Sequence, residues 1–360
     1  MSMTGRLLVI GMYPIARPNK AAAVRIRALL DEFEKLMPGR VDHVCGTISE
    51  RRRAFREFWR EGRDREVDRV YVESHSTSAS EADLLALRRL RRAGKRIVTY
   101  VRDAYPLYDS LDMYPGVRSL VYKVAFRISY GAYDRYSDRL GVPSRGLADA
   151  LGVDAARALL LPPGMQDVDV AAPAHDGAFL LVGGSAGAAN GVDIYVDAAR
   201  ARPDTSFIWC AQPRYLDALA SWDLPANFRT VSWDRAEIIR NLDRVKAFVL
   251  PRQVTPYMDL AVPIKLMDYL SWSRPIVSTR CAETTRILGE TGSGIPVDDT
   301  AQGLLRGIDT VNAMTVEQLS RYRELTHQAA QSYSWEALAR RVLAALARGG
   351  KAEVRSGESD

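Results

Sequence analysis

Val262-Pro263-Ile264-Lys265-Leu266-Met267-Asp268-Tyr269-Leu270-Ser271-Trp272-Ser273-Arg274-Pro275-Ile276-Val277-Ser278-Thr279 reads as an amphipathic helix, a turn and a β-branched strand. Leu266, Tyr269 and Leu270 recur at helical spacing and predict a core-facing side, while Lys265 and Asp268 lie three apart and can project together into a cleft. Ser273-Arg274-Pro275 ends the helix, because proline has no N–H to donate and biases the residue before it towards extended backbone. Ile276 to Thr279 then follows as a buried strand.

The same strand and helix alternation extends in both directions. Arg6 to Met12 predicts a buried parallel strand ending at Gly11, and Ala21 to Met37 a helix with Val24, Ala28, Leu29, Phe33 and Leu36 on one face. Arg69 to Glu73 is a strand, Glu81 to Ala93 a helix and Arg96 to Val101 a strand. This recurrence predicts a parallel open sheet whose ligands bind beyond the carboxyl ends of its strands. A second series starts after Leu159-Leu160-Leu161-Pro162-Pro163-Gly164, with strands at Ala178 to Gly184, Ser206 to Cys210, Phe228 to Val231 and Ala247 to Leu250, and a helix at Asp193 to Arg202. The expectation is therefore α/β, with two Rossmann-like domains: 1–165, and 166–330 with the boundary near 160–175. A terminal helix follows at 331–348, and a polar, disordered tail at 349–360.

At 360 residues the chain can bury two cores. Its three cysteines, Cys45, Cys210 and Cys281, are far apart, which points to a reduced, cytoplasmic setting. No apolar run approaches the roughly 20 residues a membrane span needs. Residues 1–150 hold 28 Lys and Arg against 19 Asp and Glu, or +9, whereas the remainder carries −3. The basic surface is thus N-terminal, in Arg51-Arg52-Arg53, Arg56, Arg60, Arg63 and Arg65, and in Arg88-Arg89, Arg91-Arg92, Lys95 and Arg96. Such clusters suit anionic lipid head groups or a diphosphate-linked lipid acceptor, or form solvated helix faces. Eight of the 16 tyrosines fall between Tyr100 and Tyr136. They read as half-buried core, or as rings for sugar stacking or a membrane interface, where Val117 to Tyr133 can lie as an amphipathic helix.

Several motifs together resemble glycosyltransferases of the GT-B fold. The opening stretch is similar to a family segment reading roughly Pro-x-Lys-Leu-x-Glu-Tyr-Leu-Ala-x-Gly-x-Pro-Val-Val, with Lys265 at the Lys, Asp268 in place of the Glu, Tyr269-Leu270 and Pro275-Ile276-Val277 matching directly, and Ser273 where glycine is usual. Pro162-Pro163-Gly164, Val182-Gly183-Gly184 with Asn190-Gly191-Val192-Asp193, Glu283 to Asp298 and Ser334-Trp335 resemble further family segments, so the resemblance covers nearly the whole chain. It implies two Rossmann-like domains facing each other across a cleft, with the C-terminal helix crossing back to the first domain. It also implies transfer of a sugar from a nucleoside-diphosphate sugar to a hydroxyl of a glycan, lipid-linked or small-molecule acceptor. The donor is a substrate, and neither cofactor nor metal is implied. The implied setting is the cytoplasm or the inner face of an anionic membrane.

On that resemblance Asp268 holds the nucleotide ribose, and Lys265 lies near the donor diphosphate with Arg252 as helper. Gly183, Gly184, Ser185, Asn190 and Tyr269 complete the donor side. Glycines between a strand and a helix start let backbone N–H groups approach phosphate oxygens, and Gly187 and Gly191 extend that turn. On the acceptor side stand Gly11, Arg102 and Tyr105, with Asp103 as candidate general base or sugar-positioning acid. The chain departs from the retaining pattern at Ser185 and Asn190, where basic residues are expected, and at Leu260, where a Glu is expected beside Asp259. Inversion and retention both stay open. A nucleotide-sugar epimerase of the same fold, or a non-catalytic sugar- or lipid-binding protein, is the alternative. Asp167-Val168-Asp169 imitates a metal-binding Asp-x-Asp but falls in the linker. His43, His75, His175 and His327 form no ligand spacing, and no nucleic-acid-binding signature accompanies the arginines.

Overall fold

Two six-stranded sheets, parallel throughout, organise the chain. The computed structural model describes residues 5–16, 21–108, 117–166, 168–184, 188–219 and 222–347. The first sheet is built from β1 (Arg6–Gly11), β2 (Val41–Cys45), β3 (Val67–Glu73), β4 (Arg96–Tyr100), β5 (Arg139–Val142) and β6 (Ala158–Leu160), in the order β2-β1-β3-β4-β5-β6. Helices α1 (Ala21–Leu36), α2 (Ile48–Arg60), α3 (Glu81–Arg92), α4 (Val117–Tyr136) and α5 (Arg145–Ala150) connect them. Two helix starts follow from local chemistry. Thr47 with Glu50 on α2, and Ser80 with Asp83 on α3, form reciprocal capping boxes that satisfy otherwise orphaned N–H groups. Leu8, Ile10, Val70, Val72, Ile97 and Leu140 fill the core beneath α2, α3 and α4.

The second sheet runs β12-β11-β10-β7-β8-β9, from β7 (Ala178–Val182), β8 (Phe207–Cys210), β9 (Phe228–Val231), β10 (Val245–Leu250), β11 (Ile276–Thr279) and β12 (Gly294–Val297). Its helices are α6 (Val192–Ala201), α7 (Pro213–Leu216), α8 (Arg235–Arg240), α9 (Pro256–Leu260), α10 (Ile264–Ser271), α11 (Ala282–Thr291), α12 (Ala301–Asn312) and α13 (Val316–Tyr333), followed by α14 (Trp335–Ala347). The deciding stretch folds as α10 and β11. Leu266, Tyr269, Leu270 and Trp272 are buried, and Ser273 takes the left-handed conformation at φ 57 between them and β11. Arg274 is buried among carbonyl oxygens, donating to Leu242, Trp272, Val245 and Ala172 at 2.6–3.3 Å. Burial lowers its pKa to about 10, so these four carbonyls are what keep the guanidinium tolerable there.

Contacts divide the chain into two compact units. One takes residues up to Val142, Ala148–Leu161 and the chain from Leu338; the other takes Pro143–Leu147 and Pro162–Ala337. Helix α14 thus starts in the second unit and ends in the first, where Arg96 donates to the Ala347 carbonyl at 2.7 Å. The tail expected at 349–360 lies outside the described residues. Strands β2 and β5 were not predicted, because Val41-Asp42-His43-Val44-Cys45 mixes charge into a five-residue run and β5 has only four residues including Gly141.

Each sheet order reverses once. In the first sheet the chain moves from β1 outward to β2 and then returns to β3 on the other side of β1. In the second it moves from β7 to β8 and β9, then to β10 on the far side of β7. The carboxyl ends of β1 and β3, and of β7 and β10, are therefore the switch points at which open parallel sheets bind ligands.

Candidate functional site

At the switch point of the second unit, β7 leads into Gly183 and Gly184, at φ 67 and 91. A side chain at Gly184 would strain the backbone and place its Cβ 2.9 Å from the Asn190 side chain. A Cβ on Gly183 would lie 3.8 Å from Cε of Lys265. The fold therefore brings Gly183, Gly184, Asn190 and Lys265 together from β7, the start of α6 and α10. The turn is held from beneath: the Gly183 N–H donates to the Cys210 carbonyl at 2.6 Å, and the Trp209 indole donates to the Gly183 carbonyl at 3.3 Å. Gly191 caps α6 at φ 63, and a Cβ there would sit 1.6 Å from the Pro251 carbonyl oxygen. That close approach ties the glycine turn to the loop after β10, where Arg252 stands. Ser185 and Gly187 lie outside the described residues.

Lys265 is half-buried and enters no ion pair among the described residues. Burial first, and the like charge of Arg252 second, push its ammonium down to about 8. A desolvated ammonium that feels a second cation and enters no ion pair among the described residues favours an anion beside it. Asp268 is also half-buried; burial raises its pKa, while Arg235 of α8 pairs with it and opposes the rise. Arg235 donates as well to Gln166 Oε1 at 3.1 Å and lies 5.5 Å from the Trp272 ring centroid. Nothing in the spacing of the sequence pointed to Arg235. Asp259, beside Leu260, accepts from the Ala282 N–H at 2.8 Å. Asp169 pairs with Arg323, and Asp167 lies outside the described residues.

Tyr269, expected on the donor side, is placed in the core. It is fully buried, accepts from the Val182 N–H at 2.8 Å and stacks on Phe248 at 4.3 Å, so it braces the strand that carries Gly183.

At the switch point of the first unit, Asp103 follows β4 and accepts from the Ser76 hydroxyl at 2.8 Å. Ser76 is joined at 3.1 Å to the hydroxyl of Tyr13, whose ring stacks on His75 at 4.8 Å. Tyr13 comes from the loop after β1, and His75 and Ser76 from the loop after β3, so three strand ends converge on Asp103. Glu73 lies beneath, with no exposed surface, between Arg25 at 2.9 Å and Arg102 at 2.6 Å, and accepts from the Tyr71 hydroxyl at 2.6 Å. Arg102 therefore pairs with Glu73 and serves this buried network. Tyr105 is half-buried in the turn after Asp103. Gly11, expected on the acceptor side, is buried, and a Cβ there would lie 2.6 Å from Cys45 Sγ; its bareness serves packing. Tyr13, Glu73, His75 and Ser76 were missed as site residues. The signal available was the position of Glu73-Ser74-His75-Ser76 at a strand's carboxyl end.

No protein-family model and no curated protein sequence matches the chain. Solved structures do. A glycosyltransferase from Rickettsia africae is similar with a TM-score of 0.65 at 12% identity, over 95% of this chain and 98% of that one. A sucrose-phosphate synthase from Thermosynechococcus elongatus gives 0.65 at 12% identity, over 94% and 98%. An alpha,alpha-trehalose-phosphate synthase (UDP-forming) from Burkholderia xenovorans, in complex with glucose-6-phosphate, gives 0.59 at 12% identity, over 95% and 100%. Identities this low speak to architecture alone, and the architecture is shared over almost the whole of each chain. The chain has the GT-B fold.

Proposed function

We propose that the protein is a glycosyltransferase that moves a sugar from a nucleoside-diphosphate sugar to a hydroxyl of a glycan, lipid-linked or small-molecule acceptor. The observation that carries this reading is Lys265: a desolvated ammonium without an ionic partner among the described residues, against the Gly183-Gly184 turn at a switch point. Likeness in fold to glycosyltransferases, one of them UDP-forming, supports it.

In this reading Lys265 and Arg252 receive the diphosphate beside the Gly183-Gly184 turn and the start of α6, and Asp268 receives the ribose hydroxyls once it exchanges its bond to Arg235. The acceptor oxygen attacks the anomeric carbon and the bond between the anomeric carbon and the diphosphate oxygen breaks; Asp103, in the first unit, is the candidate to take the acceptor proton or to position the sugar. The negative charge that develops on the departing diphosphate meets fixed cations and N–H dipoles, which is the main source of rate in such a step. Asp103 is suited to the proton because Ser76 orients its carboxylate at a strand's carboxyl end. The cysteines Cys45, Cys210 and Cys281 are free thiols, which fits a cytoplasmic setting.

The test is a thermal-shift screen against UDP-, GDP-, dTDP- and ADP-sugars, repeated with Lys265→Ala. Stabilisation by one nucleotide family, lost in the variant, is the expected result; stabilisation by none refutes the donor site. With the donor known, Asp103→Asn is expected to keep donor binding and to lower turnover by roughly a hundredfold or more.

A further inference from the structure

The crossovers from β2 to β3, β3 to β4 and β4 to β5 all run in one direction, so right-handed connection places α2, α3 and α4 side by side on one face of the first sheet. Helix α3 packs against both of its neighbours. Nine large apolar side chains are conspicuously exposed among the described residues, and six lie on this one layer: Ile48 on α2, Leu85 on α3, and Leu120, Val121, Val124 and Ile128 on α4. Five of the six fall in the first half of their helices, and Ile128 lies just past the middle of α4. Helices that follow parallel strands begin at the carboxyl edge of the sheet, so these five gather towards one rim.

Helix α4 is apolar on both sides. Phe126, Ser129 and Tyr133 are buried on its inner side. At 100° per residue Leu120, Val121, Val124 and Ile128 occupy a stripe about 100° wide on the opposite side. Leu120, Val121 and Ile128 each remain at least 60% exposed. A surface helix of a protein that is alone in water places polar residues there. Arg127 and Lys123 border the stripe on one edge and Arg118 on the other, and no carboxylate occurs on α4 before Asp134. Neither Arg118 nor Arg127 enters an ion pair among the described residues. On the neighbouring helices Arg52, Arg56, Arg88 and Arg92 are exposed, and Thr47, Ile48, Ser49, Arg52 and Arg56 line a groove of about 610 Å³.

We infer that the α2, α3 and α4 face docks on the surface of a bilayer containing anionic phospholipid, with the α4 stripe entering the acyl boundary and the flanking arginines meeting lipid phosphates. The charge pattern selects this occupant. Glu50, Glu57 and Glu81 are exposed on α2 and α3, but arginines outnumber them and α4 has no carboxylate before Asp134; a second copy of the chain would set arginines against arginines, and a protein partner of ordinary mixed charge would leave this predominantly cationic border unmatched. An anionic lipid surface matches all of it at once, since apolar burial and the attraction of each basic residue act together. No helix among the described residues is long and apolar enough to cross a membrane, so the contact is peripheral. The inference stands independently of the transferase reading.

The test is co-sedimentation of the full chain with phosphatidylcholine vesicles and with vesicles containing three parts in ten phosphatidylglycerol. Binding to the anionic vesicles, weakened at least tenfold by 0.5 M salt or by Arg118→Glu with Arg127→Glu, and at least tenfold by Val121→Glu with Ile128→Glu, is expected. Circular dichroism and melting of these variants should match the parent, because every substituted side chain is exposed. The inference is overturned by no binding to anionic vesicles, by equal binding to both vesicle types that the variants leave unchanged, or by a dimer in sedimentation velocity that Val121→Glu with Ile128→Glu dissociates. Donor stabilisation in the thermal-shift assay should persist in both double variants, which separates failure of this face from failure of the donor site.

Discussion

Nucleoside diphosphate binding should weaken as pH rises from 7 to 9, and Lys265 sets the size of the effect. Its ammonium is pushed down from 10.5 to about 8 in the empty protein by burial and by Arg252. A bound diphosphate supplies the missing counter-charge and restores the pKa towards its ordinary value. With a pKa near 8, the side chain is roughly nine-tenths charged at pH 7 and about one-tenth charged at pH 9, so affinity falls about tenfold, or ~1.4 kcal/mol, across the window. The diphosphate itself is about nine-tenths or more in its fully ionised form throughout, its last proton leaving near pH 6. Cys210 and Cys281 are pushed up by burial and so keep their protons longer than an ordinary thiol. The sign for stability is opposite. Between about 8 and 10.5 the unfolded chain keeps a proton on Lys265 that the empty fold has lost, so the empty protein gains stability as pH rises through that window. Isothermal titration with the nucleoside diphosphate at pH 7, 8 and 9, beside Lys265→Met, is the assay. The variant should bind roughly ten- to a hundredfold more weakly, since a hydrogen bond to a charged group contributes about 1.5–3 kcal/mol, and its affinity should no longer depend on pH. Constant affinity of the parent between pH 7 and 9, or an unchanged slope in the variant, would refute the reasoning.

Glu73→Gln removes the shared carboxylate of Arg25 and Arg102 and leaves two buried guanidinium groups uncompensated, so denaturant unfolding of the first unit should show a loss of about 3–5 kcal/mol; an unchanged midpoint would mean the arginines find other acceptors. Gly191→Ala forces both a strained φ and a Cβ into the Pro251 carbonyl, and should abolish diphosphate binding even where circular dichroism shows folded protein; retained affinity would show that the glycine turn is not needed. Ser273→Gly relieves a left-handed residue that costs about 1–2 kcal/mol against a smaller gain in unfolded-chain entropy, so thermal melting should rise slightly, and a lower midpoint would show that the hydroxyl matters more than the backbone.

Both sheets apart from β2 and β5 were legible from β-branched runs alternating with amphipathic segments, and the deciding stretch folded as helix, turn and strand because its periodicity and its proline are local properties. The proposed donor half of the site was partly legible for the same reason. Gly183, Gly184 and Lys265 each announce themselves by residue type at an element boundary, and the fold sets them together. The acceptor half was less so. Asp103 stood out as a carboxylate at a strand end, whereas Tyr13 and Ser76, the residues that orient it, lie in loops 63 positions apart.

The sequence by itself determined most element types, the repeated parallel topology and the strand ends at which the candidate site residues fall, since backbone preference and hydrophobic period act over a few residues. Only the tertiary structure decided which polar groups meet. Asp268 pairs with Arg235 from 33 positions away, Tyr269 turns its hydroxyl to the Val182 N–H 87 positions away, and Arg102 turns to Glu73 rather than to its neighbour Asp103. Each of these follows from side-chain direction on a packed element, and that direction is fixed when sheets and helices dock.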